Sequence, residues 1–149
     1  MSDDGSVDTS ATCGTTTTKE VVYTADAIPP LSVFSQAVKS KGHVYVSGCI
    51  GCDSEYLVVE GGIQAQTRAA LENISKILEA SGSGMQHVVK VTIYLVHMAR
   101  DFLHMNEIYE QFFAHATMPA RTCIGVSALP MGAFIEIDCI AEIPDTKSS

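Results

Sequence analysis

The chain has 149 residues, of which 46% are apolar and 17% are charged, the balance of a single globular domain. Such a domain buries roughly 68–70% of its unfolded surface, so its core needs no disulfide or metal. Residues 20–143 carry seven Lys/Arg and thirteen Asp/Glu, a net charge of −6, which argues against binding nucleic acid or an anionic membrane through a broad basic surface.

The two ends of the sequence differ in composition from its body. Residues 1–19 are rich in Ser, Thr, Gly and Asp, and we expect a disordered acidic tail there, with a short frayed end at 144–149. The tail has neither a basic leader nor an apolar run, and no window approaches the ~20 apolar residues of a membrane span. The five cysteines are an odd number, which favours reduced thiols and a cytoplasmic location.

The first half of the body predicts three strands and a helix. The strands cover residues 21–24, 35–41 and 43–47, with a turn or bulge at Gly42 between the last two. Apolar or small residues then recur every three or four positions over 63–78, which is typical of an amphipathic helix. Gly61-Gly62 precedes this helix, and the Ser/Gly run at 81–84 ends it.

The second half predicts a strand, a helix and two further strands. Residues 87–96 alternate, with Val89 and Val91 on the apolar face and Lys90 on the other. The second helix is expected to begin at Asp101 as its N-cap and to run to about Phe112. Strands at 122–129 and 134–143 then follow, and the intervening Pro130-Met131-Gly132 predicts a hairpin turn between them.

The element order is thus β-β-β-α-β-α-β-β, and it predicts an α+β two-layer sandwich in which both helices cover one face of a mixed sheet. The other face would carry Val88, Tyr94, Val96 and Ile140 among charged residues. A face that is half apolar is often covered by another copy of the chain, so we expect an oligomer. An ordinary mixed surface is the alternative.

Few motifs in the sequence point to a reaction. The Walker, dinucleotide-binding, nucleophile-elbow and HExxH motifs are all absent, and the five histidines show no zinc-type pairing. Cys49 and Cys52 form a single C-x-x-C at a strand end, which is a weak signal for zinc or redox chemistry because no second pair accompanies it. Two small residues at the end of a strand are the simpler interpretation.

Arg121 is the most informative single residue, because it opens a strand of otherwise small and apolar residues. A partly buried guanidinium needs an anion, which is either an internal carboxylate such as Glu136 or Glu142 or the carboxylate of a ligand. A four-residue hairpin loop would place Arg121, Cys123 and Glu136 on one face of the sheet. A three-residue loop would place Arg121 and Glu136 on opposite faces, and the sequence leaves both registers open.

Several segments of the body resemble the RidA/YjgF family of imine and enamine deaminases. The resemblance is carried by Phe34-Ser35-Gln36-Ala37, Val46-Ser47-Gly48, Asn106-Glu107-Ile108-Tyr109-Glu110, Pro119-Ala120-Arg121-Thr122-Cys123-Ile124-Gly125-Val126 and Ile135-Glu136-Ile137-Asp138. It extends over about residues 20–143. It implies a chorismate-mutase-like fold and a homotrimer with a cleft at each subunit interface.

The resemblance also implies hydrolysis of reactive 2-imino or 2-enamino acids to 2-keto acids and ammonia. By position, Arg121 would bind the substrate carboxylate, Glu136 would position or activate water, and Cys123 would line the site. Ser47 and Asn106 would add polar contacts. No metal or cofactor is implied, since water can add to an imine carbon unaided by a covalent nucleophile.

Two residues depart from the family's usual pattern. Phe34 stands where Tyr is usual, and Cys49 stands where Gln is common, so the substrate preference or the turnover of this site is expected to differ. Two other functions are weighed against the deaminase. One is an endoribonuclease that inhibits translation, which the acidic body disfavours, and the other is a non-catalytic binder of small carboxylates or a chaperone.

Overall fold

A computed structural model of the protein describes residues 18–145, which form six strands and two helices. The predicted tail at 1–19 and the predicted frayed end at 144–149 lie outside the described residues, apart from 18, 19, 144 and 145. The elements in chain order are β1 (Glu20–Val22), β2 (Ala37–Ser40), β3 (His43–Ile50), α1 (Gly62–Ala80), β4 (Val88–Leu95), α2 (Met98–Phe113), β5 (Ala120–Gly125) and β6 (Ile135–Glu142).

All six strands belong to one sheet, in the order β1-β2-β3-β6-β4-β5. The β4–β5 pair is parallel and the other pairs are antiparallel, so the sheet is mixed as predicted. The turn expected at Gly42 joins β2 to β3. Lys41 and Gly42 both have positive φ, 50° and 81°, the conformation that matches the twist of a two-residue hairpin.

The predicted hairpin between the last two strands is wrong. β5 pairs only with β4 among the described strands, whereas β6 lies between β3 and β4. α2 carries the chain back to the start of β4, so β5 runs parallel to β4. The segment around Pro130–Gly132 then crosses the end of β4, where the Val96 amide donates to the Phe134 carbonyl at 3.1 Å.

Both helices pack on one face of the sheet, which confirms the two-layer arrangement. The largest fully buried side chains of this layer come from both helices and from the central strands: Leu71, Ile74, Ile77, Leu78, Met105, Phe113, Val44, Val91, Ile93, Leu95, Ile135 and Ile137. Burying one such side chain contributes about 1.5–3 kcal/mol. The core therefore lies between the helices and the sheet, and it fixes which strand residues face the helices.

The opposite face, which we call the outer face, carries exposed or half-buried residues from the same strands. Tyr45, Tyr94, Ile124 and Ile140 lie there among charged side chains. Val88 was expected on this face, but it is only 6% exposed.

A shift of register between Val88 and Lys90 explains this difference at the start of β4. The shift interrupts the alternation of side chains, so Val88 faces the core and Val89, expected in the core, is 38% exposed.

α2 begins earlier than the sequence predicted. Its first residue is Met98 and His97 occupies the N-cap position, so the N-cap role assigned to Asp101 is wrong. Asp101 lies in the first turn, where it is buried and accepts two hydrogen bonds from Arg100 at 2.8 and 3.0 Å. No helix within residues 18–145 has the length and apolar character needed to cross a bilayer.

Candidate functional site

Arg121 lies near the start of β5, in register with the buried Val91 of β4, so its side chain points to the helix face. There it meets α2. Arg121 donates a hydrogen bond from Nη1 to Asn106 Oδ1 at 2.7 Å. Its guanidinium carbon lies 4.9 Å from the ring centroid of Tyr109 and 5.7 Å from the ring centroid of Phe102. These three residues are spaced i, i+4 and i+7 on α2, which places them on one side of the helix.

No carboxylate of the described chain neutralises Arg121. The ion pairs within residues 18–145 are Lys39–Glu20 and Arg100–Asp101. The internal partners considered from the sequence, Glu136 and Glu142, therefore do not pair with Arg121. Asn106 satisfies one of the five N–H donors of the guanidinium, and the other donors can bind an external anion.

Arg100 is a second arginine that contacts an aromatic ring, but its charge is neutralised by a carboxylate. Its guanidinium lies 4.7 Å from the ring centroid of Phe134, much as Arg121 lies over Tyr109. Unlike Arg121, it also donates two hydrogen bonds to the buried carboxylate of Asp101. Arg121 thus has the aromatic contact without the carboxylate.

An open cavity of about 340 Å³ lies beside Arg121. Its other lining residues are Asn106, Tyr109, Glu110, Met118 and Pro119. This cavity, which is lined by one cation, one carboxylate, two further polar side chains and two apolar ones, is large enough for a small organic acid.

Glu136 lies on the outer face, since it is in register with Tyr94 across β4. Arg121 and Glu136 therefore lie on opposite faces of the sheet. The predicted alternative in which Arg121, Cys123 and Glu136 share a face is wrong, because both registers assumed a β5–β6 pair that does not exist. Burial raises the pKa of Glu136, and the nearby negative charge of Asp138 raises it further.

Glu136 packs directly over Gly48 of β3. A methyl group built on Gly48 would lie 2.8 Å from Cδ of Glu136 and closer still to its Oε1. Gly48 lies where β3 shifts register against β6, between Val46 and Cys49. The bulge and the missing side chain at Gly48 together leave room for this carboxylate.

Three of the predicted residues line a second, smaller cavity of about 50 Å³, to which Gly48 also contributes. Phe34, Ser47 and Cys49 line it, and Phe34 is 41% exposed. The Ser47 hydroxyl donates to the Ser35 carbonyl at 2.6 Å, so this hydroxyl already has an acceptor within the chain.

Cys49 is buried and has two sulfur hydrogen bonds. Its thiol donates to the Ser47 carbonyl at 3.4 Å and accepts from Asn73 Nδ2 at 3.4 Å. Burial raises the pKa of Cys49 to about 12, although the hydrogen bond from Asn73 opposes the shift. Cys49 is therefore a protonated thiol at neutral pH, and like Cys52 it is not in a disulfide.

Cys123 lies two residues after Arg121 and also faces the helices. It is half-buried against the core and in register with Ile93. Burial raises the pKa of its thiol, and the positive charge of Arg121 opposes that shift. The thiol is thus not activated as a nucleophile. Among the described residues, no group of three or more His, Cys, Asp or Glu side chains could hold a metal ion.

The predicted site residues thus fall into two groups within one chain. Arg121 and Cys123 of β5 and Asn106 of α2 form the first group. The second group lies around the β3 bulge and consists of Phe34, Ser47, Cys49 and Glu136, which covers Gly48 from the outer face. No role at the site was predicted from the sequence for the rings of Phe102 and Tyr109. Their i, i+4, i+7 spacing with Asn106 is the signal in the sequence that places them on the same side of α2 as this predicted site residue.

Comparisons with known proteins agree with this fold. The family model described as endoribonuclease L-PSP matches residues 24–143. The human 2-iminobutanoate/2-iminopropanoate deaminase is 40% identical over 124 residues, 83% of this chain and 89% of that protein. The crystal structure of yeast Mmf1 has a TM-score of 0.80 at 35% identity and covers 84% of this chain and 98% of its own.

A third similar protein is E. coli TdcF, solved with bound serine. It has a TM-score of 0.78 at 31% identity, over 83% of this chain and 98% of its own. The family match covers both groups of site residues, from Phe34 to Glu136. The chain therefore belongs to the RidA/YjgF family, to which the endoribonuclease L-PSP model corresponds.

Proposed function

We propose that this protein hydrolyses small 2-imino acids, and their 2-enamino tautomers, to 2-keto acids and ammonia. In this reaction one water adds across the C=N bond, the C–N bond breaks, and the water oxygen becomes the keto oxygen. Arg121 would bind the substrate carboxylate in a cleft between two copies of the chain. The alternatives are RNA cleavage and carboxylate binding without turnover.

The observation that carries the proposal is the un-neutralised guanidinium of Arg121. A half-buried cation without a counter-ion is costly, and a ligand carboxylate would satisfy it with two parallel N–H···O bonds. Asn106 holds one end of the guanidinium and leaves the rest of its donors available. The cavity beside Arg121 offers space for the remainder of a small substrate.

A second copy of the chain would bring the two groups of site residues together. Arg121 and Glu136 lie on opposite faces of one sheet, so one carboxylate-bearing substrate cannot use both within a single chain. The outer face, with Tyr45, Tyr94 and Ile124, is apolar enough to be covered by another protomer. A homotrimer would cover three such faces and form three equivalent clefts.

Within that cleft, Glu136 would act as the general base. Its raised pKa makes the carboxylate a better proton acceptor than an ordinary glutamate. It takes a proton from water as the oxygen attacks the imine carbon, and it then returns the proton to the nitrogen. This gives a carbinolamine, and its hydroxyl proton then passes through the same carboxylate to the nitrogen, so that the C–N bond breaks, the C=O bond forms and ammonia leaves.

The names of the relatives support the choice of substrate. The human relative is named a deaminase of 2-iminobutanoate and 2-iminopropanoate, and TdcF was solved with serine, another small molecule that carries a carboxylate. A reducing compartment such as the cytoplasm is part of the proposal, since the four described cysteines are free thiols.

The proposal is tested by generating imines in situ with an amino-acid dehydratase or oxidase and following the loss of the imine. We expect the wild-type protein to speed this loss. Arg121→Ala removes two charge-assisted hydrogen bonds of roughly 1.5–3 kcal/mol each, so kcat/KM should fall by about 10²- to 10⁴-fold. An imine that decays no faster with the wild-type protein than without it would refute the proposal.

Arg68→Ala is the matched control, because it removes the same charge from an exposed arginine whose only described hydrogen bond is to Gln111 at 3.0 Å. It should keep full activity. RNA cleavage that survives Arg121→Ala would instead favour the activity in the family model's description, which the net charge of −6 in residues 20–143 disfavours. Binding of a 2-keto acid without turnover would favour the non-catalytic alternative.

A further inference from the structure

Tyr109 lies beneath the guanidinium of Arg121 and is nearly inaccessible to solvent, at 5% exposure. The guanidinium carbon is 4.9 Å from its ring centroid, well inside the range of a cation–π contact. The ring also packs against Phe113, with 4.7 Å between the two centroids. The ring of Tyr109 is therefore held by the core and in turn supports Arg121.

An aromatic ring suits this position because it attracts a cation without neutralising it. A carboxylate in the same place would hold the guanidinium more tightly, but it would also use the donors that a ligand needs, as Asp101 does with Arg100. The ring face makes no hydrogen bond with those donors. The support beneath Arg121 thus leaves its N–H groups available.

The hydroxyl of Tyr109 does not contribute to the support of Arg121. It is buried, and it has no hydrogen-bond partner among residues 18–145. Burial raises the pKa of Tyr109 to about 12, with the charge of Arg121 opposing the shift, so the phenol stays protonated at neutral pH. Proton transfer from this group is not needed for the reaction written above.

We propose that Tyr109 is a positioning residue, whose ring face, and not its hydroxyl, holds the Arg121 guanidinium in place to receive the substrate carboxylate. This inference rests on the proposed function for its substrate, but it concerns binding and can be measured without turnover. It distinguishes the ring from the hydroxyl, so two substitutions at the same position test it.

The probe is 2-oxobutanoate, a 2-keto acid product of the proposed reaction, titrated by calorimetry into the full chain. Tyr109→Phe keeps the ring, and we expect its Kd to stay within about twofold of the wild type. Tyr109→Leu removes the ring face, and we expect its Kd to rise about 2- to 30-fold, the range of a cation–π contact. In imine hydrolysis the same variant should raise KM and leave kcat nearly unchanged.

Ile74→Val in α1 is the control for a general loss of packing. Ile74 is buried in the core and has no described contact with Tyr109 or Arg121, so the variant should lower the unfolding midpoint without changing the Kd. Equal Kd values for Tyr109→Leu and Tyr109→Phe would overturn the inference. A large loss of kcat in Tyr109→Phe would also overturn it, because the hydroxyl would then take part.

The proposed function can fail separately from this inference. A wild-type protein that binds 2-oxobutanoate but hydrolyses no imine would refute the deaminase proposal, and the Kd series would still decide the role of Tyr109. A wild-type protein that neither binds 2-oxobutanoate nor hydrolyses an imine would overturn both.

Discussion

Gly48→Ala tests whether the position of the Glu136 carboxylate matters for activity. The added methyl would overlap Oε1 of Glu136 and lie 2.8 Å from its Cδ and 3.2 Å from its Cγ. The backbone of Gly48 does not have a positive φ, so alanine itself introduces no backbone strain there. The substitution therefore acts through a single contact, with the end of a flexible side chain.

Two magnitudes follow from this geometry. Overpacking typically costs about 1–3 kcal/mol, and here the cost should lie at the lower end because Glu136 can rotate away. Activity should suffer more, since displacing a group by about 1 Å from its productive position can lower the rate about 10²-fold. We therefore expect a small loss of stability together with a large loss of kcat.

The assay is imine hydrolysis, with urea unfolding of the same preparations. Gly125→Ala in β5 is the matched control, because its added methyl would meet Leu95 and Met98 only at 3.9 Å, an ordinary contact distance. It should leave kcat and stability near their wild-type values. If Gly48→Ala kept the wild-type kcat, Glu136 would not need its observed position, and its assignment as the base would be wrong.

Three further predictions concern Glu136, Cys123 and Gly51. Ionised Glu136 is needed for activity, so kcat/KM should fall as the pH is lowered through the raised pKa of Glu136. Asp138→Asn removes a charge that raises this pKa, so the acid limb of the pH profile should move to lower pH. An acid limb that does not move would contradict the assignment of Glu136 as the base. The stability of the fold depends on pH in the opposite direction. Protonated Glu136 stabilises the folded protein at pH values below the usual glutamate pKa, and this stabilisation is lost as the pH rises through the raised pKa of the folded state. Cys123→Ser should keep most of kcat/KM, since the pKa of this thiol is raised; a loss above about tenfold would imply a direct role for sulfur in the reaction. Gly51→Ala would place a methyl 2.5 Å from the Cα of Gln66 in α1, so urea unfolding should show a loss of about 1–3 kcal/mol or more, and an unchanged midpoint would refute this packing.

Local periodicity predicted most elements of this fold. The three- and four-residue spacing over 63–78 identified α1 almost to its ends, and Gly42 marked the β2–β3 turn. The pairing of the last two strands could not be predicted in the same way. A Pro-Met-Gly turn indicates where the chain changes direction, but not which strand it pairs with next, and tertiary packing placed β6 between β3 and β4.

The candidate site was predictable in part. Arg121 was prominent because a single arginine in an apolar strand demands an anion, and the structure shows it without a carboxylate partner within residues 18–145. Its position relative to Glu136 depended on strand pairing, and neither of the two registers left open for a β5–β6 hairpin occurs, because β5 and β6 do not pair. Tyr109 was missed as a neighbour of Arg121, because an aromatic residue on the buried side of a helix has the same pattern whether it fills the core or supports a cation.

The position of β6 has a consequence for how the protein forms during synthesis. This strand is the last of the six in the chain, yet it joins β1-β2-β3 to β4-β5, and without it the sheet is two separate pieces. A nascent chain that has emerged only as far as β5 has two further open strand edges, one on β3 and one on β4, besides the outer edges of β1 and β5, and its apolar faces are incompletely covered. Cooperative folding must then wait for residues 135–142, and partial chains that lack them are expected to be targets for chaperones and proteases.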